Sequence, residues 1–178
     1  MISVRHDEPI LVWGMSGTGK TSVGSALARR MNRRFVDLDE VIVQSRQMSI
    51  RAIFERAGEE TFRRLEREAL LDQMRENGPA VIALGGGTLL DPALRQHVRV
   101  RGALIGLEAE TATIAERLTD DRTRPLLLGG QLMDQIQTLK NARVLDYQDV
   151  DLLFSTDGLS VHQVVEKLVA QIRCTGLN

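Results

Sequence analysis

The chain of 178 residues is 43% hydrophobic, 26% charged and only 3% aromatic, with a formal net charge of −1. This length and balance are typical of one globular domain, and the near-neutral charge argues against an extended nucleic-acid-binding surface. The chain has no apolar run near the ~20 residues of a membrane span, no N-terminal export signal and only one cysteine, Cys174, which together predict a cytoplasmic protein without a membrane partner.

Short apolar runs recur along the chain, and each is followed by a segment whose apolar residues have helical spacing. Runs this short, bounded by glycine, proline or charged residues, are typical of buried strands. The predicted strands are 10–13, 34–39, 80–84, 103–107 and 151–155. Because strands alternate with helices, we predict an α/β fold in which a five-stranded parallel sheet lies between two layers of helices.

The predicted helices carry recognisable start and stop signals. Gly58 separates a short helix from a longer one, and Ser160 with Gln163 forms a capping box at the start of the last helix. Cys174 is interpreted as the end of that helix. The predicted helices are 21–31, 49–57, 59–75, one that begins near Pro92, 110–118, 132–147, and one that begins at Ser160. The charged and glycine-containing segment between the helices 110–118 and 132–147, about 119–131, is predicted to be a mobile loop.

The segment Gly14-Met15-Ser16-Gly17-Thr18-Gly19-Lys20-Thr21 fits the phosphate-binding loop G-x-x-x-x-G-K-S/T. Glycines let successive backbone N–H groups point at phosphate oxygens, and the following helix adds its positive N-terminus. Lys20 would neutralise the β- and γ-phosphates, and the Thr21 hydroxyl would bind Mg²⁺. A chance match in a glycine-rich turn is the alternative. The loop follows an apolar strand and opens an amphipathic helix, which favours a site for ATP and Mg²⁺.

Two further features follow predicted strands, beyond the carboxyl ends where functional groups collect in open α/β sheets, and a third lies on a helix. Asp37 and Asp39 end the second predicted strand; the alternatives are solvated turn residues, or Asp39 as the cap of the next helix. Gly85-Gly86-Gly87 follows the third strand and permits close approach to a ligand, or simply makes a sharp turn. Arg63 and Arg64 lie on one helix, and at least one of them must face solvent.

In their order and spacing these motifs resemble shikimate kinases, a family of P-loop kinases related to nucleoside monophosphate kinases. The resemblance runs from about residue 10 to about residue 170. The matching segments are the phosphate loop, Phe35-Val36-Asp37-Leu38-Asp39, Ile53-Phe54, Gly58-Glu59, Phe62-Arg63-Arg64-Leu65-Glu66, Leu84-Gly85-Gly86-Gly87, Thr123-Arg124-Pro125-Leu126-Leu127 and the pair Arg143 and Tyr147.

The resemblance implies phosphorylation of the 3-hydroxyl of shikimate by a monomeric enzyme that uses ATP and Mg²⁺. Lys20, Asp39 and Arg124 would be catalytic, with Asp39 facing the acceptor hydroxyls and Arg124 in a mobile lid formed by the loop of about 119–131. The nucleotide would contact Gly17, Thr18, Gly19, Lys20, Thr21, Ser22, Arg117 and Arg124, with Arg117 against adenine. Thr21 and Asp37 would serve the metal. Shikimate would contact Asp39, Arg63, Gly85, Gly86, Gly87 and Arg143, with the two arginines clamping its carboxylate.

The chain departs from the family pattern at identifiable positions. The family shows Pro-Leu-Tyr after its second clamp arginine, whereas this chain reads Val144-Leu145-Asp146-Tyr147. A proline that flanks adenine in the family is missing near Val161. Two alternatives follow from the residues: a related kinase acting on gluconate or another hydroxy-carboxylate, and a nucleotide-binding module without turnover. Against the second alternative, the chain retains both acceptor and lid groups along with the nucleotide groups: Lys20, Thr21, Asp37, Asp39 and Arg124.

Overall fold

The computed structural model describes residues 1–76, 78–120 and 132–175, except for the side chain of Asp120. The strands in these ranges are β1 (Ile2–Arg5), β2 (Ile10–Trp13), β3 (Arg34–Asp37), β4 (Ala80–Ala83), β5 (Ala103–Glu108), β6 (Leu152–Ser155) and β7 (Ile172–Thr175). The helices are α1 (Lys20–Arg30), α2 (Leu38–Arg46), α3 (Ile50–Arg75), α4 (Pro92–Arg99), α5 (Thr111–Asp120), α6 (Leu132–Gln148) and α7 (Val161–Gln171).

Five strands form one parallel sheet in the order β3-β4-β2-β5-β6. Its central strand, β2, is fully buried, and its side chains alternate between two apolar clusters on opposite faces. Leu11 and Trp13 pack in one cluster, whereas Ile10 and Val12 pack in the other. Successive side chains of a strand point to opposite faces, so a strand covered on both sides is apolar throughout. The predicted α/β fold with five parallel strands between helices is confirmed.

A second sheet joins the two ends of the chain, and the sequence did not predict it. Strands β1 and β7 pair in parallel, with Val4 opposite Cys174. Most of their residues are exposed or half-buried, so neither strand forms the continuous apolar run by which the other strands were recognised. Cys174 is therefore an exposed strand residue, and its interpretation as the end of a helix is wrong.

The second predicted strand is wrong at its end, because α2 starts at Leu38 directly after β3. Asp37 caps this helix: its Oδ1 accepts the backbone N–H groups of Asp39 at 3.0 Å and Glu40 at 3.4 Å. The cap satisfies backbone donors that a helix N-terminus leaves unpaired. Asp39 consequently lies in the first turn of a helix and projects from there, not from a strand.

The other helix signals agree with the structure. Gly58 interrupts α3 with a φ of 78° and a ψ of 172°, which kinks it where two helices were predicted. Ser160 and Gln163 form the predicted capping box of α7. The lid prediction is wrong at its start, since Thr119 and Asp120 still belong to α5. Residues 121–131 lie outside the described ranges. None of the described helices has the length and apolar character needed to cross a membrane.

Candidate active site

The phosphate loop lies between β2 and α1, at the carboxyl edge of the sheet. Gly19 is the N-cap of α1, and its left-handed conformation, with φ at 93°, is one that side-chain-bearing residues rarely adopt. The helix therefore begins at Lys20, with the backbone N–H groups of its first turn and its positive end at the loop. Lys20 Nζ donates to the backbone oxygen of Met15 at 2.8 Å, so its ammonium lies over the loop. This geometry is a preformed anion site.

Arg117, on α5, braces the phosphate loop from the other side. Its Nη1 donates to the backbone oxygen of Gly17 at 3.2 Å and to Thr156 Oγ1 at 3.0 Å. The guanidinium thus ties the loop to the turn after β6 and also lines the cleft above the loop. Thr18 is 1% exposed, and its hydroxyl donates to the Met15 oxygen at 2.8 Å, so the hydroxyl is engaged within the loop.

The residues predicted to serve a metal ion are in direct contact. Thr21 Oγ1 donates to Asp37 Oδ2 at 2.7 Å, while the second oxygen of Asp37 caps α2. A hydroxyl and a carboxylate are the oxygen donors that Mg²⁺ prefers, and Mg²⁺ in nucleotide sites completes its shell with phosphate oxygens and water. In the described ranges no group of three or more acidic, histidine or cysteine residues forms a larger metal cage. This pair therefore fits Mg²⁺ bound together with a nucleotide.

A cleft of about 290 Å³ runs from the phosphate loop to the triple glycine. It collects most of the predicted site residues, which come from separate parts of the chain and meet at the carboxyl ends of neighbouring strands. The lining consists of Gly17, Gly19, Lys20, Thr21, Ser22, Asp37, Asp39, Leu84, Gly85, Gly86, Arg117 and Leu118.

At the far end of the cleft, Asp39 lies beside a buried carboxylate that the sequence analysis did not single out. Glu66 is 1% exposed; its Oε1 accepts from Thr88 Oγ1 at 2.6 Å and its Oε2 from Arg63 Nη1 at 2.6 Å. A Cβ atom built on Gly85 would lie 3.3 Å from Asp39 Oδ1 and would overlap the Glu66 carboxylate. Burial raises the pKa of Glu66, the bonds from Thr88 and Arg63 offset part of this, and the charge of Asp39 adds to it.

Arg63 is held against the triple glycine by two carboxylates. Its Nη2 donates to Glu59 at 2.9 Å, and a Cβ atom on Gly87 would overlap its guanidinium, so only glycine permits this approach. Burial lowers the pKa of Arg63, but the hydrogen bonds and charges of Glu66 and Glu59 outweigh this and raise it overall. Arg64 pairs with Glu68, and 61% of its side chain is exposed. The prediction that at least one of the two arginines faces solvent is confirmed.

Arg143 reaches the same turn through Tyr147. The Tyr147 hydroxyl donates to the backbone oxygen of Gly86 at 2.8 Å and lies close to the Arg143 guanidinium. Burial raises the pKa of Tyr147, and the positive charges of Arg143 and Arg63 counteract part of that effect. The two predicted clamp arginines therefore converge on one side of the turn. Arg124 lies outside the described residues.

The missed carboxylate had a signal in the sequence. Arg63 and Glu66 are three residues apart on a helix, a spacing at which side chains share a face and pair. What the spacing did not reveal is that this face is the buried one, or that the pair meets Thr88 from the triple-glycine turn.

One structural comparison supports only the fold. A gluconokinase from Sinorhizobium meliloti superposes with a TM-score of 0.58 over 93% of this chain and 91% of its own, at 19% sequence identity. At that identity the likeness says nothing about the acceptor.

Other comparisons are stronger. Residues 16–173 match the profile of the family described as shikimate kinase. The shikimate kinase of Geobacter sulfurreducens is 41% identical over 164 residues, which cover 92% of this chain and 90% of the relative. The crystal structure of the Bacteroides thetaiotaomicron shikimate kinase superposes with a TM-score of 0.87 at 28% identity, covering 92% and 97% of the two chains. The Acinetobacter baumannii enzyme in complex with shikimate gives 0.85 at 26% identity, with 92% of each chain covered. The chain therefore belongs to the shikimate kinase family.

Proposed function

We propose that this chain transfers the γ-phosphoryl group of ATP to the 3-hydroxyl of shikimate, giving shikimate 3-phosphate and ADP on the route to chorismate and the aromatic amino acids. The observation that carries the proposal is the set of charged side chains around the triple-glycine turn. Two arginines and a carboxylate meet there, at the end of a cleft that begins at a phosphate loop. A hydroxylated carboxylic acid is the class of acceptor that needs both kinds of group.

The nucleotide side follows from the phosphate loop. Backbone N–H groups at the start of α1 and the Lys20 ammonium would bind the β- and γ-phosphates. Arg117 would lie against the adenine ring, since its guanidinium borders the cleft next to the loop. Family members use ATP, in agreement with this assignment.

On the acceptor side, Arg63 and Arg143 would bind the shikimate carboxylate. Planar guanidinium groups pair with carboxylates in a fork of two parallel hydrogen bonds, which fixes the orientation of the ring as well as its position. The Gly86 backbone N–H would donate to the substrate. Asp39 would hold the acceptor hydroxyl, because it borders the cleft between the phosphate loop and Gly85.

In the transfer, a bond forms between the acceptor oxygen and the γ-phosphorus, and the bond from phosphorus to the β–γ bridging oxygen breaks. The electron pair leaves with ADP, and the hydroxyl proton passes toward Asp39. Little covalent work is left to the protein, so its contribution is positioning and electrostatic stabilisation. Lys20 stabilises the charge on the transferring group, and we assign the same role to Arg124.

We further propose that Thr21 binds Mg²⁺ directly and Asp37 through water. When bound, Mg²⁺ neutralises charge on the β- and γ-phosphates. The 2.7 Å contact between the Thr21 hydroxyl and Asp37 supports a shared cation. We also propose that the protein is a cytoplasmic monomer; size-exclusion chromatography with light scattering tests the oligomeric state.

A coupled ADP-release assay with shikimate, with gluconate and without acceptor tests the proposed reaction. We expect rapid ADP release with shikimate only. Faster turnover with gluconate would identify gluconate, not shikimate, as the acceptor. Equal rates in all three arms would refute acceptor phosphorylation altogether. Isolation of shikimate 3-phosphate by mass spectrometry identifies the product.

A further inference from the structure

A charged cluster outside the cleft links α4 to the end of α6. Arg95 lies on α4, and its side chain is only 6% exposed. Its Nε donates to Asp149 Oδ2 at 2.8 Å, its Nη2 to Asp146 Oδ1 at 3.1 Å, and its Nη1 to the backbone oxygen of Leu89 at 2.5 Å. The guanidinium thus joins the end of α6 to the segment that follows the triple glycine.

The same guanidinium packs on an aromatic pair. Arg95 Cζ lies 5.7 Å from the centre of the Trp13 ring, and that ring is 4.7 Å from the ring of Tyr147. Trp13 is fully buried and directly precedes the phosphate loop. Tyr147 is the neighbour of Asp146; its hydroxyl donates to Gly86 and lies close to the Arg143 guanidinium. The charged cluster therefore contacts the segment of α6 that carries Arg143 and Tyr147.

Few side chains of this helix are fully buried. Among the described side chains of α6, Ile136 alone is fully buried, more than one helical turn before Arg143. The end of α6 is also where the chain departs from Pro-Leu-Tyr, so that, aligned on Tyr147, Asp146 stands in the place of the leucine. A buried guanidinium is retained only when its donors are paired, and such a pairing orients the groups around it.

We propose that Asp146 and Arg95 are positioning residues for Arg143, and that their ion pair sets the affinity for the acceptor carboxylate without affecting ATP. The identity of the acceptor rests on the proposed function, whereas the coupling rests on the geometry of the cluster. Arg99 supplies a matched control. It lies one turn along α4 and pairs with Asp149 at 2.5 Å and Asp151 at 3.0 Å, and no contact to Trp13 or Asp146 is found for it among the described residues.

The kinetic test compares Asp146→Ala with Arg99→Gln in the full chain. Asp146 is partly exposed, and its loss leaves Arg95 paired with Asp149, so this variant should fold. We expect the KM for shikimate to rise about tenfold in Asp146→Ala with the KM for ATP unchanged, as a small displacement of a binding group predicts. Arg99→Gln should leave both constants unchanged. In an Arg143→Gln background, Asp146→Ala should add no further increase. Equal effects of Asp146→Ala and Arg99→Gln, or additivity with Arg143→Gln, would overturn the proposal.

A second readout needs no substrate. Trp13 is the only tryptophan of the chain, so acrylamide quenching of its fluorescence reports on its cover by Tyr147 and Arg95. We expect stronger quenching in Asp146→Ala than in the wild type or Arg99→Gln, and unchanged quenching in Asp146→Ala would contradict the positioning role. A wild-type enzyme that does not turn over shikimate would refute the proposed function alone, because the quenching comparison is independent of the acceptor.

Discussion

Arg63 and Glu66 form an ion pair of 2.6 Å at the acceptor end of the cleft, and the carboxylate of this pair is 1% exposed whereas the arginine is 31% exposed. The buried Glu66 carboxylate therefore does not face the solvent in the cleft. Its contribution to the site is to pair with Arg63 and orient it. Because Glu66 is also bonded to Thr88, it connects the orientation of Arg63 to the triple-glycine turn.

The first prediction concerns this carboxylate. Glu66→Gln keeps the shape but removes the charge that orients Arg63, so we expect the KM for shikimate to rise several-fold, about three- to tenfold. The KM for ATP should stay unchanged. Steady-state kinetics with each substrate varied in turn measures this. Glu68→Gln, which removes the exposed partner of Arg64, is the matched control and should have no effect. Similar kinetics for the two variants would show that Glu66 does not orient Arg63.

A pH dependence follows from the raised pKa of Glu66. Burial makes the folded chain hold this proton more tightly than the unfolded chain, whose carboxyl titrates near 4.5. Between the ordinary and the raised pKa the folded state binds more protons, so the stability contributed by the protonated carboxyl is lost as the pH rises through that window. We expect the free energy of unfolding of the wild type, relative to Glu66→Gln, to fall across it. Denaturant titrations at a series of pH values measure the difference.

Over the same pH range, between the ordinary and the raised pKa of Glu66, the binding of shikimate should change in the opposite direction to the stability: it should weaken as the pH falls. Lowering the pH protonates Glu66 and removes the charged partner of Arg63, so the KM of the wild type for shikimate should rise while that of Glu66→Gln stays flat. Parallel profiles for the two proteins would mean that another group titrates.

Arg63 and its neighbour Arg64 provide a second matched comparison. Arg63→Ala removes one arm of the proposed carboxylate clamp, and we expect about a hundredfold rise in the KM for shikimate, the scale of a lost charged hydrogen bond. The KM for ATP should change much less. Arg64→Ala removes an equal charge from the exposed face and should be silent. A rise of equal size for both substrates would refute the clamp.

Asp39→Asn tests the acceptor carboxylate. The amide keeps the size of the side chain but cannot take the proton, so kcat should fall by about 10² to 10⁴. ATP affinity, measured by calorimetry, should be nearly intact. Glu40→Gln, one residue further along α2, is the control and should keep its activity. Retention of most of the kcat by Asp39→Asn would require another acceptor group.

The Thr21 hydroxyl tests the metal assignment. Thr21→Ser keeps the hydroxyl and should keep the wild-type Mg²⁺ requirement, whereas Thr21→Val removes the hydroxyl with little change in side-chain size. We expect Thr21→Val to need about tenfold more Mg²⁺ for half-maximal activity, since one of few protein ligands is lost. Titration of activity with Mg²⁺ at fixed ATP gives the comparison. Identical requirements for valine and serine would exclude Thr21 as a ligand.

Local signals accounted for most of the fold. Buried strands are recognisable as short apolar runs. The kink at Gly58 and the helix start at Ser160 were predicted correctly from glycine and capping signals. The errors fell where the local pattern is weak or fits more than one structure. The apolar run around Asp37 predicts a strand that extends to Asp39, whereas the cap formed by Asp37 starts a helix at Leu38.

Sequence by itself determined the nucleotide half of the site, because a phosphate loop is one contiguous segment whose function lies in its backbone. Its order of motifs also predicted the family. Tertiary structure decided the acceptor half. Glu66 became a buried partner of Arg63, and Tyr147 became the link between Arg143 and Gly86, only when α3, α6 and the triple-glycine turn packed together. Contacts between residues far apart in the chain depend on the burial of whole elements, and no short pattern records them.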